Sequence, residues 1–152
     1  MQRLLIVLFW SIWSPVALAA GAKHLPWAVD LPKQSAPAVV VLFSLPNCAY
    51  CEKVRQHTLL HLEGDPRYAG RVRVLEVDFG NAQRRFVWFD ARYYTGQQLA
   101  QLLNVKFSPT VMVFDQQGGV AGKPLLGAAL PDFYGAYVDA LIRAAWESSA
   151  RR

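Results

Sequence analysis

Cys48 and Cys51 are the only thiols in a chain of 152 residues, and they lie in the stretch Ser44-Leu45-Pro46-Asn47-Cys48-Ala49-Tyr50-Cys51. Two cysteines with two residues between them can exchange disulfides, supply half of a metal site, or close a small staple. A staple over so short a loop restrains the unfolded chain little, which makes it a poor stabiliser. A zinc site needs four donors, and the candidates near the pair are His57 and His61. On a continuous helix Cys51 lies about 300° round from Cys48, whereas the two histidines lie at about 180° and 220°, with His57 about 13.5 Å further along the axis. One ion cannot collect all four groups, so no metal is expected. His24 stands far upstream, and no histidine follows His61. The pair therefore reads as a redox couple without a cofactor.

Redox exchange needs a thiolate, and a thiolate needs a site that favours negative charge. Ala38-Val39-Val40-Val41-Leu42-Phe43 is a continuous apolar run between prolines, the pattern of a strand buried on both faces. From Cys48 to Leu62 there is no Gly or Pro, so a helix is expected to begin at the first cysteine and continue to Leu62. That order puts Cys48 where free backbone N–H groups and the positive end of the helix dipole point outward. Cys51, one turn on, lies deeper. The spacing assigns the attack to Cys48 and the resolution of the mixed disulfide to Cys51.

The remaining elements follow from pattern. Glu63-Gly64-Asp65-Pro66 breaks the helix, and Val72–Asp78 reads as a second strand with partial alternation. Thr95-Gly96-Gln97-Gln98 has the form of a capping box opening a helix through Leu99, Leu102 and Leu103. Thr110–Asp115 is a third strand, Gln116–Gly119 a turn, and Val120–Leu126 an antiparallel return. Phe133, Tyr134, Tyr137, Val138, Leu141, Ile142, Ala145 and Trp146 mark the apolar stripe of a last helix. The sum is an α/β sandwich around a small mixed sheet. Between the elements, 81–94 carries Phe86, Trp88, Phe89, Tyr93 and Tyr94 among arginines, either as added core or as a docking surface.

Length allows one domain, and a composition 53% hydrophobic and 18% charged excludes a disordered chain. The formal charge is +5, but the basic residues are scattered, so a solvated basic surface is expected rather than a nucleic-acid site. Arg3, the apolar run Leu4–Trp13, Pro15 and Ala17-Leu18-Ala19 have the three-part grammar of a signal peptide, residues 1–19. Removing it leaves 15 basic residues against 11 acidic, a net +4. The rival is an uncleaved N-terminal membrane anchor, since no charge falls between Leu4 and Ala22. Either way an exported, periplasmic protein is expected, in a compartment that permits disulfides. Residues 20–36 read as a leader and 37–148 as the domain.

With these residues in view, the chain resembles the thioredoxin superfamily. The resemblance rests on the buried strand, Cys48-Ala49-Tyr50-Cys51 at a helix start, Val77-Asp78 closing the next strand, and Phe107-Ser108-Pro109-Thr110 before an apolar strand. Leu125-Leu126-Gly127-Ala128 before the last helix extends it. It implies a thioredoxin-like fold, a cis bond before Pro109, and a substrate surface formed by Ala49, Tyr50, Ser108 and Pro109. The buried acid of thioredoxins proper falls at Leu42, so water or Glu52 is left to deprotonate Cys51. The centre is similar to that of periplasmic disulfide isomerases, but 81–94 is too short for a dimerisation domain. The resemblance therefore implies a stand-alone periplasmic thiol-disulfide oxidoreductase that reduces disulfides of exported client proteins. Its electron donor would be a membrane thiol transporter. Ala49-Tyr50 adds no charge near Cys48, which favours a reductant. An isomerase or oxidase, a non-enzymatic binding module and a copper chaperone are the other functions considered.

Overall fold

The computed structural model describes residue 25, residues 36–128 and residues 131–151. The expected signal segment and nearly all of the leader lie outside these residues. Strand β1 (Ala38–Ser44) is buried along its whole length. It pairs in parallel with β2 (Val72–Asp78) and antiparallel with β5 (Thr110–Asp115), and β5 carries the short β6 (Leu125–Leu126). The strand order β2-β1-β5-β6 makes β1 an interior strand. A parallel pair needs a crossover, and α1 (Ala49–His57) with the 3-10 turn Leu59–His61 supplies it.

Successive residues of a strand face opposite ways, and here both faces are apolar. Val40, Leu42, Val72, Val74, Val111 and Val113 point to one side, against Val54 and Leu59 and against Val138, Ile142 and Ala145 of α3 (Pro131–Ala150). Val39, Val41, Phe43, Leu75, Val77, Met112 and Phe114 point to the other, against Leu99 of α2 (Gly96–Leu102). Each fully buried aliphatic or aromatic side chain contributes about 1.5–3 kcal/mol. β1 therefore anchors the turn that leads from Ser44 to the cysteines.

Four sequence expectations are corrected. The first helix stops at His57 rather than Leu62, and the chain tightens into the 3-10 turn, which puts Leu59 and Leu62 into the core. The return after the Gly118 turn is reduced to one bridge, Phe114 to Val120, and two paired residues of β6. In β2 only Arg73 and Asp78 emerge from burial, so the alternation seen in the sequence is nearly lost between two covered faces. On α3, Tyr134, Val138, Ile142 and Ala145 are buried, but Phe133 and Tyr137 are 60% and 50% exposed. The stripe is narrower than the apolar sequence pattern because only the helix face at Tyr134, Val138, Ile142 and Ala145 turns fully to the sheet.

Residues 81–94 resolve into a hairpin, β3 (Arg85–Val87) with β4 (Tyr93–Thr95). Phe86 and Trp88 are buried against the second face, Trp88 stacking edge-on to Phe114 at 5.1 Å. These rings are added core, while Tyr93 stays exposed beneath Arg85. The expected capping box is present, with Thr95 Oγ1 accepting from Gln98 N–H and Gln98 Oε1 from Thr95 N–H. Gly96 is required there: a Cβ would stand 1.9 Å from the Asp78 carbonyl oxygen, so α2 starts directly against the end of β2.

Candidate redox centre

Strand β1 ends at Ser44, and a turn through the exposed Leu45, Pro46 and Asn47 leads into α1. Asn47 has φ 59°, a left-handed conformation that asparagine tolerates. Cys48 is the N-cap of α1, and its Sγ accepts from the Cys51 N–H at 3.1 Å. The first cysteine thus takes the place of a capping hydroxyl, at the end where helix N–H groups and the dipole favour negative charge. Cys48 and Cys51 form a disulfide, with Cα atoms 5.2 Å apart. Cys48 is half-buried and Cys51 only 1% exposed. One sulfur can meet an incoming partner while the other is shielded.

The second half of the centre arrives from the loop before β5. The Ser108–Pro109 bond is cis, and Ser108 Oγ lies 2.9 Å from Cys51 Sγ and 3.3 Å from Cys48 Sγ. Disulfide sulfurs carry no proton, so the hydroxyl donates to them. Pro109 is buried, and its carbonyl accepts from Gly127 N–H at 2.8 Å, tying the β6 loop to the same place. Thr110 Oγ1 donates to the Phe107 carbonyl at 2.8 Å and holds the loop's entry. Tyr50 and Phe107 are each 62% exposed beside this site, and Leu45 and Leu126 are also exposed. The rim is apolar and open.

The structure thus brings Cys48, Cys51, Ser108 and Pro109 together, with Tyr50 on the rim and Ala49 on the first turn. His57 and His61 do not approach the pair, and no group of His, Cys, Asp and Glu suited to a metal occurs among the described residues. Glu52 is turned to Arg55 and accepts from Gln56 Nε2.

Two residues escaped the sequence reading. Glu76 of β2 is the register partner of Leu42 and is buried, and Arg55 reaches it from α1 through Nε–Oε2 at 3.0 Å and Nη2–Oε1 at 2.5 Å. The hydrogen bonds to Glu76 outweigh burial and hold the Arg55 guanidinium above its ordinary value. The pair floors a groove of about 560 Å³ that also includes Cys48, Glu52 and Asp78 in its walls. An acid is thus buried opposite Leu42, on the neighbouring strand. The available signal was a glutamate flanked by Leu75 and Val77 inside the expected strand Val72–Asp78, together with an arginine one helical turn beyond Cys51.

The sequence matches the family model described as a thioredoxin-like domain over residues 28–141. Among curated proteins none matches. Of solved structures, mitochondrial thioredoxin 3 from Saccharomyces cerevisiae in its oxidised form is 18% identical, with a TM-score of 0.51 over 76% of this chain and 94% of its own. A mutant thioredoxin from Halobacterium salinarum is 16% identical, with a TM-score of 0.53 over 81% and 95%. A thioredoxin-fold protein from Helicobacter pylori is also 16% identical, at 0.50 over 88% and 96%. At such identity the likeness is one of fold.

Proposed function

The chain belongs to the thioredoxin-like domain family, and from that premise we propose that it is a thiol-disulfide oxidoreductase that reduces client disulfides through Cys48 and Cys51. The observation that carries the reading is the half-buried Cys48 sulfur on the α1 N-terminus, with the Ser108 hydroxyl donating toward both sulfurs. In the reduced protein the Cys48 thiolate attacks one sulfur of the client disulfide. The client S–S bond breaks, a mixed disulfide forms, and the leaving thiolate takes a proton from solvent. The Cys51 thiolate then attacks Cys48 Sγ, the mixed disulfide breaks, and the second client thiolate leaves. Two electrons pass from the dithiol to the client, and the Cys48–Cys51 disulfide remains.

The N-terminal charge, apolar run and small-residue site support export to the periplasm, where the clients would be exported disulfide-containing proteins. A membrane thiol transporter would return the electrons. The uncharged Ala49-Tyr50 pair supports the reducing direction.

The test is insulin reduction with dithiothreitol as donor. Wild type should accelerate precipitation, Cys48→Ala should abolish the acceleration, and Cys51→Ala should accumulate the mixed disulfide with the client. Equal rates for wild type and Cys48→Ala refute the proposal.

A further inference from the structure

The groove beside Cys48 takes its charged wall from two elements: Glu52 and Arg55 from α1, Glu76 and Asp78 from β2. The Arg55 guanidinium is already engaged by carboxylates, Nε and Nη2 donating to Glu76 and Nη1 to Glu52. Glu52 is half-exposed and stands in the first turn of α1, where its N–H donates to the Cys48 carbonyl at 3.1 Å. Asp78 accepts from the Gly80 N–H at 2.9 Å.

Three carboxylates thus meet one guanidinium along this wall, an excess of two negative charges on a chain whose formal charge is +5. The other cations near the centre do not reverse the sign. Arg84 shares a smaller hollow with Glu76 and Asp78, and counting it still leaves an excess of one. Lys53 stands over the Tyr50 ring, and Lys106 lines a hollow with Phe107 and Leu126; neither belongs to the groove's wall. The turn Leu45–Asn47 carries no charge, and from the loop before β5 the sulfurs meet the neutral Ser108 hydroxyl.

Two fields therefore act on the Cys48 sulfur. The dipole at the α1 N-terminus, equivalent to about half an elementary charge, favours the thiolate. The carboxylates of the groove oppose it, since like charge disfavours ionisation. We propose that this groove, with Glu52 as its exposed charge, holds back ionisation of Cys48 and so sets the couple toward reduction of clients. A less stabilised thiolate leaves the reduced form less stable and the dithiol a better electron donor. Glu52 acts as a charge and not as a base, because its carboxylate is turned to Arg55 and Gln56. The consequence for electron flow rests on the oxidoreductase reading above; the effect on Cys48 ionisation does not.

The test is a charge series at one position. Glu52→Gln removes the charge and keeps an acceptor for Arg55 and Gln56, and Glu52→Lys inverts it. Glu147→Gln, in an exposed pair with Arg151 on α3, changes the net charge outside the groove and serves as control. Cys48 ionisation is read from the pH dependence of alkylation of the reduced protein by iodoacetamide, and the couple from equilibration with glutathione. Glu52→Gln should raise the Cys48 acid constant about threefold and Glu52→Lys about tenfold, as one and two charges in a partly solvated site allow. The couple should become more oxidising in the same order, a tenfold change in the exchange constant being about 30 mV. Raising salt to about 1 M, where the screening length falls to about 3 Å, should narrow the gap between wild type and Glu52→Lys; a change of packing alone would not respond. An unchanged acid constant in Glu52→Lys overturns the proposal, as does an equal shift in Glu147→Gln or a gap indifferent to salt. A protein whose Cys48 constant moves in this order but which reduces no insulin refutes the oxidoreductase reading and supports the role of the groove.

Discussion

Replacing Ser108 with alanine removes one oxygen from the centre and changes little else, because the residue is half-buried and its backbone is held by its neighbours. In the disulfide form the hydroxyl reaches Cys51 Sγ at 2.9 Å and Cys48 Sγ at 3.3 Å. After reduction the stronger acceptor is the Cys48 thiolate on the helix N-terminus. A hydrogen bond to a charged acceptor contributes about 1.5–3 kcal/mol. Part of this is already present in the disulfide, so the difference between the two redox states is about 1.4 kcal/mol, which corresponds to about one pKa unit and, for two electrons, about 30 mV. The sign is set by which form the bond favours. Ser108 stabilises the thiolate, so its loss raises the Cys48 pKa and makes the couple more reducing. Thiolate absorbance against pH gives the first quantity, and equilibration with glutathione gives the second. Ser108→Thr, which keeps a hydroxyl, should restore both. A Ser108→Ala protein with an unchanged pKa and an unchanged potential would refute the assignment of the hydroxyl to Cys48.

Two further outcomes concern stability. Glu76→Ala leaves the Arg55 guanidinium buried with only the half-exposed Glu52 as counter-charge, and should cost about 3 kcal/mol, the low end for breaking a buried pair. The double change Arg55→Leu with Glu76→Leu should cost less than the single one, and urea unfolding that shows no loss for Glu76→Ala would refute the role given to the pair. Asp139 of α3 accepts from Arg143 and from the Tyr68 hydroxyl, and Arg143 first of all holds its carboxyl below the usual range. A depressed carboxyl contributes stability that is complete above its unfolded value of about 3.9 and disappears as pH falls through the folded one. The gap in melting temperature between wild type and Asp139→Asn should therefore be constant near neutrality and close in acid; a gap that persists or widens in acid contradicts it.

Much of the framework was legible because its causes are local. The prolines bounding Ala38–Phe43, the Thr95–Gln98 box and the cysteine spacing each act within a few residues, and β1, α2 and the start of α1 followed from them. The end of α1 was not legible. Helix propensity continues past His57, but Leu59 and Leu62 bury better in the core if the chain tightens at Thr58. Phe133 and Tyr137 read as core for a related reason: hydrophobic periodicity marks which residues could be buried, and only the neighbouring layer decides which row is.

The sequence by itself determined a single α/β chain with a cysteine pair at a helix N-terminus, since composition, apolar runs and caps are properties of short segments. Only the tertiary structure decided what surrounds the sulfurs. Ser108 is fifty-seven residues from Cys51, Glu76 meets Arg55 across a gap of twenty-one, and Tyr134 closes a hollow whose other wall is α1. Such meetings are set by strand order and register, and no local pattern carries that information. A buried acid lies beside Leu42 because parallel pairing sets Glu76 level with it, and there Arg55 holds it.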